Sequence, residues 1–179
     1  QVGASPCFIG GGYLTAWNSN WKVGNSDVLI VECDESDGTI TKYSSEVGII
    51  SNLGRDHMDF YKDEDHQLEV FQQFVDNIRP EGCLLLGWDS KRLRQLHIPE
   101  EIKRFAYGAS IGSDLRYHDL NCLEGRTKFV GVLEREQRPV NTKLLGKHNA
   151  QNILACLGVA MHFGWDIDRA LAAIGDFSG

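Results

Sequence analysis

The chain has no apolar run of transmembrane length, no Cys-x-x-Cys pair, no internal repeat and no low-complexity tract. Each absence excludes something. Without an apolar run of about 20 residues there is no candidate membrane helix. Five cysteines, Cys7, Cys33, Cys83, Cys122 and Cys156, are odd in number and far apart. That argues against a disulfide framework and a zinc knuckle, so a reducing, cytoplasmic setting is expected. No signal-peptide pattern opens the sequence, and residues 1–4 read as a ragged start. Positive charge is also scarce: the formal net charge is -7. A nucleic-acid surface usually carries a basic field, so no nucleic-acid partner is expected, and no membrane partner either. A nucleotide is not excluded, because one local anion site needs only a helix start and a metal ion.

What is present is ordinary for a globular protein: 179 residues, 42% hydrophobic and 24% charged. This is one domain, or one and a fraction, large enough to bury a core without staples. The chain is organised around residues 28–61. Two Val- and Ile-rich runs, at 28–31 and 47–50, each feed into a polar segment. Such runs suit strands covered on both faces, as in a parallel sheet. The first ends in Glu32-Cys33-Asp34-Glu35-Ser36-Asp37, the second in Ser51-Asn52-Leu53-Gly54-Arg55-Asp56-His57. Ligands of open α/β sheets bind outside the carboxyl ends of the strands. If the two strands share a sheet, Glu32 and His57 reach the same edge and face one cleft.

The remaining elements read in order. Cys7-Phe8-Ile9 is a short apolar run, and Gly10-Gly11-Gly12 after it reads as a flexible turn. No Gly-Lys-Ser/Thr follows, so a phosphate loop is not indicated there. Residues 17–24 read as a loop or edge strand. A helical apolar face spans 66–78, and residues 83–87 form a buried-type strand. Asp89-Ser90 reads as the cap of a short helix through Leu96, and 104–107 as another strand. From Asp114 on, three strand-like stretches (115–123, 127–134 and 139–145) predict an antiparallel meander. A strong helix opens at Gly146-Lys147-His148-Asn149 and stops at Gly164. Asp166 caps a last helix. The expected fold is α/β: a mostly parallel sheet flanked by helices, with a small antiparallel section.

Three groups invite chemistry. Glu32 reads as a strand-end cap or as a carboxylate holding a divalent cation. The acidic cluster around Asp34, Glu35 and Asp37 is either a solvated loop or a place where a cation relieves repulsion; hard oxygens suit Mg²⁺. His57 reads as a structural hydrogen bonder or as a metal ligand. His148, Asn149 and Asn152 at a helix start either cap the helix or read a base edge and ribose. His148 and Asn152, four residues apart, share one side.

In this order and spacing, the elements resemble the Mur ligase family. They are Ile9-Gly10-Gly11, Glu32-Cys33-Asp34-Glu35-Ser36-Asp37-Gly38, Asn52 through Asp56-His57-Met58-Asp59, and His148-Asn149-Ala150-Gln151-Asn152. The resemblance covers essentially all of residues 1–179. It implies a fold like that family's central ATP-binding domain, related to P-loop NTPases. It also implies an enzyme that uses ATP and Mg²⁺ to join a carboxylate to an amino acid through an acyl phosphate, in the cytoplasmic synthesis of peptidoglycan precursors for the cell wall. In the alanine-adding branch, which Glu35-Ser36-Asp37 favours, the partners implied are UDP-N-acetylmuramate and L-alanine. Site by site, it implies Glu32 and His57 as catalytic metal ligands, and His148, Asn149 and Asn152 as contacts to adenine or ribose.

Several family features do not appear in these residues: the Gly-Lys-Thr/Ser phosphate loop, the amino-terminal UDP-binding domain, the carboxyl-terminal amino-acid-binding domain, and a lysine within 67–78. Phe177-Ser178-Gly179 resembles the approach to the hinge before the third domain. The chain by itself is therefore expected to be folded but catalytically silent, with self-association through an uncovered sheet edge. The alternatives are a ligase that recycles murein tripeptide, a folylpolyglutamate-synthase-like ligase, and a non-catalytic nucleotide-binding module on the same fold.

Overall fold

The computed structural model describes residues 5–15 and 17–178. The ragged start at 1–4, and Gly179 of the hinge-like terminus, lie outside the described residues.

Two sheets form. The smaller has the order β2-β1-β3, from β1 (Cys7–Leu14), β2 (Ser19–Lys22) and β3 (Leu29–Val31). β1 runs antiparallel to β2 and parallel to β3, with Phe8 opposite Ile30 and Ile9 opposite Val31. The larger sheet runs β4-β5-β6-β7-β8-β9, from β4 (Val47–Ile50), β5 (Cys83–Gly87), β6 (Lys103–Gly108), β7 (Leu115–Leu123), β8 (Arg126–Leu133) and β9 (Glu136–Thr142). The first four strands are parallel; β7, β8 and β9 form the expected meander. The meander continues the parallel sheet.

Three expectations need correction. The glycines at 10–12 lie inside strand β1 and do not form a turn. The segment after Asp89 forms only a 3-10 turn, Leu93–Gln95, because Asp89 spends its carboxylate elsewhere and caps nothing. Most important, the strands before Glu32 and His57 belong to different sheets. β3 is three residues long and pairs with β1, and its Leu29 and Ile30 are 58% and 48% exposed. Its apolar run is therefore not the doubly covered strand that its composition suggests.

β5 is that strand. All five of its residues are buried. Because side chains alternate across a strand, Leu84 and Leu86 enter one core cluster while Cys83 and Leu85 enter the other. The first cluster is closed by α1 (Glu64–Asp76), whose buried residues Gln67, Val70, Phe71, Phe74 and Val75 follow the spacing of one helical face. Its start is fixed by the Asp63 carboxylate, which accepts from the His66 N–H at 2.8 Å.

The second cluster is closed by α2 (Lys147–His162) and α3 (Ile167–Asp176). Gly158 lets α2 approach the sheet, since a Cβ there would lie 2.2 Å from Leu85 Cδ2. Gly164, at φ +64°, ends the helix as expected. Asp166 caps α3 by accepting from the Arg169 N–H at 3.0 Å.

Burial pushes the Cys83 thiol up to about 11, against a smaller opposing effect of Lys103. The thiolate is the nucleophile, so Cys83 should be inert in the native protein. Treatment with iodoacetamide at pH 8, read by peptide mass spectrometry, is expected to label exposed Cys122 and to spare Cys83 until the chain is unfolded. Equal labelling of both in the native state would contradict this packing.

Candidate active site

Glu32 continues the β3 ladder, its N–H donating to the Ile9 carbonyl at 2.9 Å. Its side chain turns over β1, and Oε2 accepts from the Gly11 N–H at 2.7 Å. Gly10 makes room for it and for the Phe8 ring: a Cβ there would sit 3.3 Å from Oε2 and 2.5 Å from Phe8 Cζ, whereas one at Gly11 would meet Oε2 at an ordinary 3.5 Å. Oε1 has no hydrogen-bond partner among the described residues.

The acidic segment that follows is folded by its own side chains. The Asp34 carboxylate accepts from the Ser36 N–H at 2.8 Å, and the Asp37 carboxylate from the Thr39 N–H at 2.9 Å and hydroxyl at 2.6 Å. These bonds favour the charged forms and hold both carboxyls below their ordinary range, Asp34 through Ser36 and Asp37 through Thr39. The repulsion within the cluster is thus partly answered by backbone donors. Gly38 turns the chain at φ +73°, with the Phe60 ring 3.0 Å from where a Cβ would be.

His57 lies in the loop beyond the carboxyl end of β4, in the left-handed region at φ +57°. Its carbonyl accepts from the N–H groups of Phe60 and Tyr61, both at 3.0 Å. Tyr61 is buried at 1% exposure, and its hydroxyl donates to the Glu35 carbonyl. That bond joins the acidic segment to the His57 loop. As a result, His57 Nε2 stands 3.6 Å from Glu35 Oε1, ion-pair distance but too long for a hydrogen bond. The loop is held from below by buried Gln67, whose amide donates to the Asp56 carbonyl at 3.3 Å and accepts from Arg92 at 2.7 Å. Tyr61→Phe is expected to cost about 1 kcal/mol of stability and to loosen 33–37 relative to 57–61. Hydrogen exchange of the Ser36 and Thr39 amides checks it; unchanged protection would show that the bond does not hold the segment.

The third group starts α2. Gly146, at φ +95°, offers no side-chain cap, and its N–H donates to the buried Thr127 hydroxyl at 3.0 Å. His148 and Asn152 are exposed. Asn149 donates to the Leu145 carbonyl at 2.9 Å and lies 3.1 Å from His148 Nε2. The helix start is tied to the carboxyl edge of the parallel strands through Asp89, which follows β5. The Asp89 carboxylate accepts from Gln151 Nε2 at 2.7 Å, and also from Ala109 and Ser110 just after β6. Burial pushes the Asp89 carboxyl up, but the bonds from Ser110, Ala109 and Gln151 outweigh it and hold it below its ordinary value.

The structure thus joins His57 to Glu35, Glu32 to Gly11, and His148 to Asn149. It sets the His57 loop, the Asp89 loop and the α2 start at carboxyl ends of one sheet's strands, and carries Glu32 on the other sheet. Sequence reasoning misses Tyr61, Gln67, Asp89 and Gln151 as organisers. Glu35 is visible only as a member of an acidic cluster. Among the described residues no three His, Cys, Asp or Glu side chains form a metal cage. A lone strand-end carboxylate with an unused oxygen fits Mg²⁺, which keeps waters and takes only one or two protein carboxylates beside phosphate oxygens.

Among known proteins, the Mur ligase middle domain matches residues 18–160. The UDP-N-acetylmuramate–L-alanine ligase of Azorhizobium caulinodans is 34% identical over 99% of this chain and 40% of its own length. That of Desulfatibacillum aliphaticivorans is 35% identical over 99% of this chain and 39% of its own. The chain therefore spans about two fifths of the length of these relatives. Among solved structures, UDP-N-acetylmuramate-alanine ligase MurC of Thermotoga maritima superposes with a TM-score of 0.84 at 20% identity, over 98% of this chain and 39% of that one. The MurF ligase of the same organism, solved with ADP, gives 0.79 at 18% identity, over 98% and 42%. The middle-domain match crosses most of the described residues and the sequence likeness crosses nearly all of them: the chain belongs to the Mur ligase family.

Proposed function

We propose that residues 1–179 are the central ATP-binding domain of an alanine-adding ligase, which forms the amide between UDP-N-acetylmuramate and L-alanine in peptidoglycan precursor synthesis. The observation that carries this reading is the run of relatives bearing that name, at about a third identity along almost the whole chain. The activity belongs to the parent protein, in which other parts supply the phosphate loop, the sugar-nucleotide site and the amino-acid site. Residues 1–179 by themselves are expected to be silent.

In this reading the sugar's carboxylate attacks the γ-phosphorus of ATP and ADP leaves. The alanine amine then attacks the acyl phosphate, forming the amide and releasing phosphate. Magnesium ions, when bound, neutralise charge on the transferring phosphoryl group. Glu32 would hold one through the oxygen that Gly11 leaves unused. His57 would help hold a second, with Glu35 beside its imidazole. The folded acidic segment and the Tyr61 bond keep those side chains in place before the nucleotide arrives, so little ordering remains to be done on binding. At the other end, His148 and Asn152 present amide and imidazole edges to adenine or ribose, and Asn149, bonded to Leu145, braces that turn.

The test is ADP release by the purified parent protein with ATP, Mg²⁺ and UDP-N-acetylmuramate, with single amino acids in turn. Alanine-dependent turnover is expected. Turnover requiring a tripeptide would favour the recycling ligase, and no turnover with any acceptor would favour a nucleotide-binding module.

A further inference from the structure

Asp89, which the sequence suggests as a helix cap, serves another purpose. Its carboxylate collects four donors: the Ser110 N–H at 2.9 Å and hydroxyl at 2.6 Å on Oδ1, and the Ala109 N–H at 3.1 Å and Gln151 amide at 2.7 Å on Oδ2. The first three come from the loop after β6 and the fourth from the second turn of α2. Room for this arrangement depends on Gly108, where a Cβ would lie 2.8 Å from Asp89 Oδ1.

We propose that Asp89 and Gln151 form a positioning clasp that holds the first turns of α2 against the β5 and β6 loops, and so keeps His148 and Asn152 aimed at the nucleotide. This rests on the reading of that turn as the base- and ribose-contacting face. Gly146 provides no side-chain cap, so α2 is located by its ties to the rest of the fold. Thr127 fixes where the helix begins by holding the Gly146 N–H from β8. The apolar face of α2, with Ala150, Ile153 and Leu154 buried, sets the helix against the sheet, but its exposed first turn has no cap of its own to keep it from fraying. Gln151 supplies a second tie, on the side of the helix that faces the β5 and β6 loops. Gln151 and Asn152 are consecutive, so they project about 100° apart, and fixing one fixes the direction of the other. A charged acceptor suits the task, because hydrogen bonds to an ionised carboxylate are about twice as strong as neutral ones.

The experiment is calorimetric titration of the parent ligase with Mg·ADP, with steady-state kinetics and hydrogen exchange at residues 147–152. In Asp89→Asn, one carboxylate oxygen becomes an amide N–H that faces donors. The expected result is about a tenfold rise in nucleotide Kd and KM, the scale of one charge-assisted hydrogen bond. The kcat and the KM for the sugar nucleotide should stay within about twofold, and exchange at 147–152 should quicken. Gln151→Glu sets two carboxylates together and should do the same. Combining the two substitutions lets the new amide at position 89 donate to the new carboxylate at position 151. That should restore affinity, which a merely structural role for Asp89 would not produce. Single variants with wild-type nucleotide affinity and unchanged exchange would overturn the clasp, as would a double variant worse than either single one. A wild type that binds no nucleotide would instead refute the reading of the site, and the clasp would then stand or fall on the exchange data and their rescue.

Discussion

Glu32→Ala in the parent ligase is expected to lower kcat by about a hundredfold to a thousandfold, the usual effect of removing one group that stabilises transition-state charge. The fold should barely register it. Glu32 is exposed, and among the described residues its side chain bonds only the Gly11 N–H. Losing that bond costs about 1 kcal/mol, or about 3 °C in Tm for a domain of this size. His57→Ala should be comparably inactive and as mild on stability: histidine and alanine both carry the Cβ that the left-handed region penalises, so the substitution adds no backbone strain. In both variants the requirement for Mg²⁺ should shift to higher concentration. Wild-type turnover at limiting Mg²⁺ would remove the variant's residue from the metal site.

The second large effect concerns the floor beneath that site. Gly87 ends β5, and a Cβ there would lie 1.9 Å from the Ser51 carbonyl oxygen, where β4 gives way to the His57 loop. The obstacle is backbone and cannot swing aside. Gly87→Ala must push the ends of β4 and β5 apart, which is expected to cost about 3 kcal/mol, at the upper end for overpacking, and to lower Tm by about 9 °C. Because Ser51 leads directly into the loop carrying His57, activity at permissive temperature should fall as well. Thermal unfolding by circular dichroism decides this. A melting point within about 2 °C of wild type would mean that the strand ends are not packed as tightly as described.

The buried elements are the most legible in sequence, and for a physical reason. β5 is covered on both faces and reads as a continuous apolar run; α1 is covered on one face and shows the helical period. β3 shows the limit of that reasoning. Its residues look like those of β5, yet two of its three side chains are largely exposed, because composition does not say which strand will pair alongside. Gly10 misleads for a related reason: glycine is scarce in strands unless another group must come close, and here the Phe8 ring and the Glu32 carboxylate do, whereas nothing crowds Gly12. The site is half legible. Glu32, His57 and the α2 start stand out as polar residues after apolar runs. Tyr61, Gln67, Asp89 and Gln151 act through bonds to groups far away in sequence, which no local pattern announces.

In the proposed ligase, the Glu32 oxygen left open by Gly11, the His57–Glu35 pair and the start of α2 would together take up one metal–nucleotide complex. Substituting Mn²⁺ for Mg²⁺ with a non-hydrolysable ATP analogue, and recording amide NMR spectra of the deuterated parent ligase, tests this most directly. Strong paramagnetic broadening is expected at Gly11, Glu32, Glu35 and His57, with weaker broadening at residues 148–152 and none along β9. Broadening centred on another part of the chain, with Glu32 and His57 untouched, would contradict it.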